Sequence, residues 1–103
     1  MKKVIDGKRY DTENAECIGS YTFSNSSDLC YVDEKLYVTK AGSYFFAGEG
    51  GAKSKYSTPI SQNSWGGGSR LLPITKGEAL AWAGRNLDGD TVEKYFSDLI
   101  EDA

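Results

Sequence analysis

Ser43-Tyr44-Phe45-Phe46-Ala47, followed at once by Gly48-Glu49-Gly50-Gly51, decides the fold. The first five residues join aromatic and small side chains in a run too short for a buried helix, so they read as the strongest strand of the chain. The glycines then break the pattern. From Gly48 to Arg70 there is almost no aliphatic content; only Ala52 and Ile60 stand out, and six of the twelve glycines fall here. The stretch reads as a glycine-rich basic loop over 48–70, carrying Glu49, Lys53, Lys55, Tyr56, Trp65 and Arg70. A loop of this length inside a small domain points to function or to disorder, and a spacer has no need of a tyrosine and a tryptophan.

Upstream, Lys40-Ala41-Gly42 is a tight turn, and Ser20–Phe23, Leu29–Asp33 and Lys35–Thr39 are strand candidates, the last two interrupted by Asp33-Glu34. Lys3-Val4-Ile5 and Lys8-Arg9-Tyr10 flank the turn signal Asp6-Gly7, which suits a small hairpin. Asp11 and Thr12 can cap a helix, Ala15 and Ile18 lie three apart and Gly19 can end it, so a short N-terminal helix is expected. Downstream, Pro73 in Leu71-Leu72-Pro73-Ile74 places that strand at a sheet edge. Thr75-Lys76-Gly77-Glu78 is a capping box opening a helix with Leu80, Ala83 and Leu87 on one stripe and Trp82 beside it. Asp90 is expected to cap a second helix bearing Val92, Tyr95, Phe96, Leu99 and Ile100. The expectation is one α+β domain over 1–103: a small antiparallel sheet of about four or five strands, a short N-terminal helix and two C-terminal helices.

The net charge of −3 is unevenly spread. Residues 1–34 hold four basic and seven acidic side chains, 35–76 six basic and one acidic, and 77–103 two basic and seven acidic. The C-terminal acids Glu93, Asp98, Glu101 and Asp102 form a candidate surface for a basic partner. No run approaches the roughly 20 apolar residues of a membrane span. Lys2-Lys3 is not followed by an apolar stretch, so Cys17 and Cys30 are expected as reduced thiols in a cytoplasmic protein, host-cell cytoplasm if the source is a phage.

The chain has no histidine, which removes histidine-based triads and makes a zinc site improbable with two separated cysteines. The glycines match neither a P-loop nor a dinucleotide fingerprint, and Gly66-Gly67-Gly68-Ser69-Arg70 leads into a strand. A non-catalytic nucleotide site is the alternative that survives, with Tyr56 or Trp65 stacking on a base and Lys53, Lys55 or Arg70 pairing with phosphate. Glu49, the lone acid of the basic segment, is the most interesting carboxylate, but a salt bridge to Lys53 or Arg70 is the plainer expectation. Tyr, Trp and Arg are the types that dominate protein-interface hot spots, which favours a protein-binding surface.

Met1–Ala15, then Leu36-Tyr37, Gly42–Phe45, Gly48–Gly51, Asn63-Ser64-Trp65, and Pro73-Ile74-Thr75 leading into Glu78–Ala83 resemble, in that order, a family of small proteins of phages, plasmids and integrated elements. The resemblance implies a setting and no catalytic residue: small acidic proteins of mobile elements often inhibit host defence, anti-CRISPR proteins among them. The expectation is a non-enzymatic protein, without cofactor or metal, that blocks a host defence protein or ribonucleoprotein complex by binding it. A nucleotide-sequestering protein is the alternative, and the edge strand at Pro73 leaves a homodimer open.

Overall fold

Tyr44, Phe45 and Phe46 are all buried because both faces of their strand are covered. In the computed structural model, which describes residues 1–103, the first pair of strands is a hairpin, β1 (Lys2–Ile5) with β2 (Lys8–Asp11). Asp6 and Gly7 both have positive φ, 52° and 76°, as a type I′ turn between twisted strands requires. The main sheet holds β3 (Glu16–Phe23), β4 (Val32–Val38), β5 (Tyr44–Gly50) and β8 (Gly68–Ile74), antiparallel throughout in the order β3-β4-β5-β8. A separate hairpin, β6 (Thr58–Ser61) with β7 (Ser64–Gly66), rises between β5 and β8. Two helices follow, α1 (Lys76–Asn86) and α2 (Gly89–Phe96), with a 3-10 turn at Ser97–Leu99.

Strand alternation sorts the side chains. Leu36, Tyr44 and Phe46 meet Ala79, Trp82, Ala83, Val92 and Phe96 of the helices in the main core. Phe45 and Leu71 point the other way and close a smaller cluster with Tyr10 of the N-terminal hairpin, flanked by Tyr37. Tyr37 stacks on Phe45 at 5.3 Å between ring centroids, and Tyr10 meets the same ring edge-on at 5.5 Å. The uneven apolar pattern of Leu36-Tyr37-Val38 follows from this two-sided cover: an inner strand needs no polar face. The Pro73 strand, β8, is an edge of the sheet as expected.

Three expectations are corrected. Residues 11–18 form no helix. Asp11 acts as a cap, but of a turn: its carboxylate accepts from the Glu13 N–H (3.0 Å) and from Asn14 Nδ2 (2.8 Å). From Glu16 the chain pairs with β4, a ladder that two apolar residues three apart cannot outweigh. The second correction is at α2, whose N-cap is Asp88, accepting from the Thr91 N–H at 2.9 Å; Asp90 lies inside the first turn. Along α1 the buried stripe is Ala79, Trp82 and Ala83, with Leu80 and Leu87 half-buried, and Leu99 and Ile100 are exposed because α2 ends at Phe96. The capping box at Thr75 and Glu78 forms as read.

The third correction concerns 48–70, which is largely ordered as the end of β5, the β6–β7 hairpin and the start of β8. None of its glycines has positive φ; only Gly7 and Gly42 do. These glycines give proximity instead. A Cβ on Gly51 would lie 2.4 Å from the Leu29 carbonyl oxygen, so only glycine lets the two backbones touch.

Candidate functional site

The segment that reads as one loop divides between two sites on opposite sides of the sheet. On the helix side stands Glu34, which pairs across β4 and β5 with Gly48 and is 3% exposed. Its Oε1 accepts from Trp82 Nε1 at 2.8 Å. Its Oε2 accepts from the Tyr56 hydroxyl at 2.6 Å and forms an ion pair with Lys55 Nζ at 2.6 Å. The Lys55 ammonium also lies 4.2 Å from the Phe46 ring centroid, a cation–π contact. Tyr56 is fully buried, and burial first, then the Glu34 carboxylate, raises its hydroxyl pKa well above the ordinary value. Arg70 Nη2 donates to the Ser57 carbonyl oxygen and holds the same turn.

Lys55, Tyr56 and Arg70, expected in the nucleotide reading as a surface for base and phosphate, are therefore engaged within the protein: Tyr56 is buried, Arg70 half-buried, and Lys55, though partly exposed, has its ammonium on Glu34. Every polar atom around Glu34 has a partner, and no buried side-chain polar atom in the protein lacks one. The arrangement ties β4, the 51–57 turn and α1 together, a structural task. Glu34, the centre of this cluster, was not among the predicted site residues, and the sequence offered one sign of it. Asp33 and Glu34 must face opposite sides, and Glu34 shares the phase of Leu36.

Glu49 and Trp65 belong to the second site. They line a groove of about 630 Å³ between the turn at Ser26–Tyr31 and the glycine-rich segment. The floor is backbone, stitched by Gly51 N–H to the Tyr31 carbonyl (2.9 Å) and Lys53 N–H to the Leu29 carbonyl (2.8 Å). Trp65 is 58% exposed and Leu29 55% exposed, so two large apolar side chains stand at the rim. Glu49 makes no salt bridge to Lys53 or Arg70; it accepts from the Tyr31 hydroxyl at 2.9 Å. That bond, aided by burial and by the charges of Glu49 and Asp33, raises the Tyr31 pKa. Asp33 pairs directly across from Glu49, so two like charges meet with no cation between them in an ion pair. Asp28, the other charged residue lining the groove, is held below the usual carboxylate range, first by the Cys30 N–H and then by Ser24.

The groove lining contains no lysine or arginine. The +5 of residues 35–76 is thus not a property of this surface, because folding turns Lys55 and Arg70 away from it. Lys53 is exposed and does not line the groove. Of the C-terminal acids, Asp98 pairs with Lys76 at 2.7 Å, and Glu93, Glu101 and Asp102 are exposed and make no ion pair. Cys17 and Cys30 are free, and both are exposed. No three histidine, cysteine, aspartate or glutamate side chains are disposed to hold a metal ion. No helix is long and apolar enough to cross a membrane. Compared with protein-family models, curated proteins and solved structures, the chain finds no match.

Proposed function

We propose that this chain is a non-enzymatic binding protein that inhibits a host defence complex, anti-CRISPR-like in kind, by occupying a protein surface through the Trp65 groove. One observation carries the binding part of the reading: an exposed tryptophan and leucine border a groove whose only charged side chains are Asp28 and Glu49. An apolar anchor beside fixed negative charge suits a partner segment bearing lysine or arginine, which can meet the indole face and the carboxylates together. The mobile-element setting comes from the sequence resemblance described above. The nucleotide alternative is left with Lys53 and Trp65 as its only uncommitted residues, and no observation favours it over protein binding.

The test is a pull-down of candidate defence effectors with the tagged protein, alongside phage survival in cells expressing it. Loss of an interface hot spot costs about 2 kcal/mol or more, so Trp65→Ala is expected to weaken capture roughly thirtyfold. Glu49→Lys is expected to weaken it as well; Trp65→Ala should keep the thermal stability of the wild type, and Glu49→Lys should stay folded although it loses the Tyr31 bond. Full capture and full protection in both variants would remove the groove from the contact surface. Failure of the wild type to form any stable complex would overturn the reading as a whole.

A further inference from the structure

The opposite end of the sheet carries the opposite charge. There the N-terminal hairpin and the β4–β5 turn enclose a cleft of about 680 Å³ lined by Lys8, Arg9 and Lys40, with Thr39 and Ser43 between them. The only acid in the lining is Asp11, whose carboxylate is already engaged by the Glu13 N–H and Asn14. None of the three cations has an ion-pair partner, since the protein's two ion pairs are Lys55–Glu34 and Lys76–Asp98. Lys2 and Lys3 on the neighbouring strand add charge of the same sign.

We propose that this cleft binds the phosphodiester backbone of a nucleic acid strand, independently of the Trp65 groove. Three unpaired cations with two hydroxyls are the donor set that phosphate oxygens take. The cleft has no exposed aromatic on which a base could stack: Tyr10, its one aromatic, is buried against Phe45. Contact is therefore to the backbone and insensitive to sequence. A net charge of −3 does not oppose this, because the molecule is 47 Å long and the Debye length is about 10 Å at 0.1 M salt. Outside the cleft, Glu13 and Glu16 line an adjoining cleft that shares Lys40, and they bound the basic surface on that side. With basic protein held at one end and phosphates at the other, the footprint suits a nucleoprotein complex.

Fluorescence anisotropy of labelled 20-nucleotide single strands tests it, with two unrelated sequences and titrations at 50 and 200 mM salt. Three phosphate contacts predict an affinity loss of roughly twentyfold between those salt concentrations, equal for both sequences. Lys8→Gln/Arg9→Gln/Lys40→Gln is expected to weaken binding at least tenfold at 50 mM salt, while Lys94→Gln and Trp65→Ala bind as the wild type does. A thermal melt confirms that the triple variant stays folded; should it not, the single Lys40→Gln change on the exposed turn must weaken binding at least twofold. A millimolar excess of ATP should compete poorly, because one mononucleotide cannot span the cleft's cations as a strand does. The proposal is overturned by absence of binding at 50 mM salt, by a triple variant that binds undiminished, or by ATP competing as well as the strand does.

Discussion

A Cβ on Gly48 would lie 2.5 Å from Tyr56 Cζ, 2.6 Å from its hydroxyl oxygen and 2.9 Å from the Glu34 Cβ. Gly48 is therefore the space into which the Tyr56 ring folds to reach Glu34. Gly48→Ala forces that ring aside in a tightly packed site, and such overpacking costs about 2 kcal/mol. In a domain of this size that lowers Tm by roughly 10 °C, readable in a thermal melt. Glu34→Ala is expected to cost more, about 3 kcal/mol or above, because it strands the Trp82 and Tyr56 donors in the interior. Lys55→Gln should cost about 1 kcal/mol or less, since Lys55 is 43% exposed and water can replace much of what it loses. Urea denaturation of the three variants gives the order. A Lys55 variant less stable than the Glu34 variant would contradict this account of the cluster.

At the scale of elements, local chemistry and long-range pairing compete, and their relative size decides each case. The Thr75–Glu78 capping box satisfies two backbone donors within four residues, so it forms wherever the rest of the chain goes. Asp88 and Asp90 both precede the apolar residues of α2, and the cap falls to the one whose extended backbone lets its carboxylate reach the Thr91 N–H. Asp88→Ala is expected to cost about 1 kcal/mol and Asp90→Ala a few tenths, as loss of a cap differs from loss of a first-turn charge. Equilibrium unfolding of the two variants separates them, and equal losses would count against the assignment. At Asp11 the same residue type ends a strand, because β3 gains a full ladder with β4.

For the whole molecule, pH acts from two sides. Asp11, Asp28, Asp88 and Asp98 are held below their ordinary 3.8, chiefly by the Glu13 N–H, the Cys30 N–H, Thr91 and Lys76 respectively. Folded pKa values lower than unfolded ones give stability that is complete above about pH 4 and lost as pH falls further. Tyr31 and Tyr56 are raised above 10.0, the first mainly by its bond to Glu49 and the second mainly by burial. The folded state keeps protons that the unfolded chain releases, so this contribution is complete below pH 10 and declines as pH rises beyond it. With no histidine in the chain, the midpoint of urea unfolding should be flat from pH 5 to 9 and fall on both sides. Tyr56→Phe should lower the plateau by about 1–2 kcal/mol and make the alkaline fall shallower. A step inside the plateau would overturn this.

The sequence by itself determined whatever rests on neighbours along the chain. The hairpin turn at Asp6-Gly7, the strand after Ser43, the edge strand at Pro73, the capping box at Thr75 and hence the α+β class all follow from contacts or backbone limits within a few residues. Glu49 and Trp65 were legible as candidates by residue type, and they do share a groove. Tertiary structure alone decided which way the rest of the 48–70 segment faces. Glu34 lies 22 residues from Tyr56 and 48 from Trp82, and no local pattern specifies such separations. One buried carboxylate gathers Lys55 and Tyr56 inward, and the surface they leave is acidic although its segment is basic. Charge counted along a chain is a sum over residues, whereas a binding surface is made only of those that packing leaves outside.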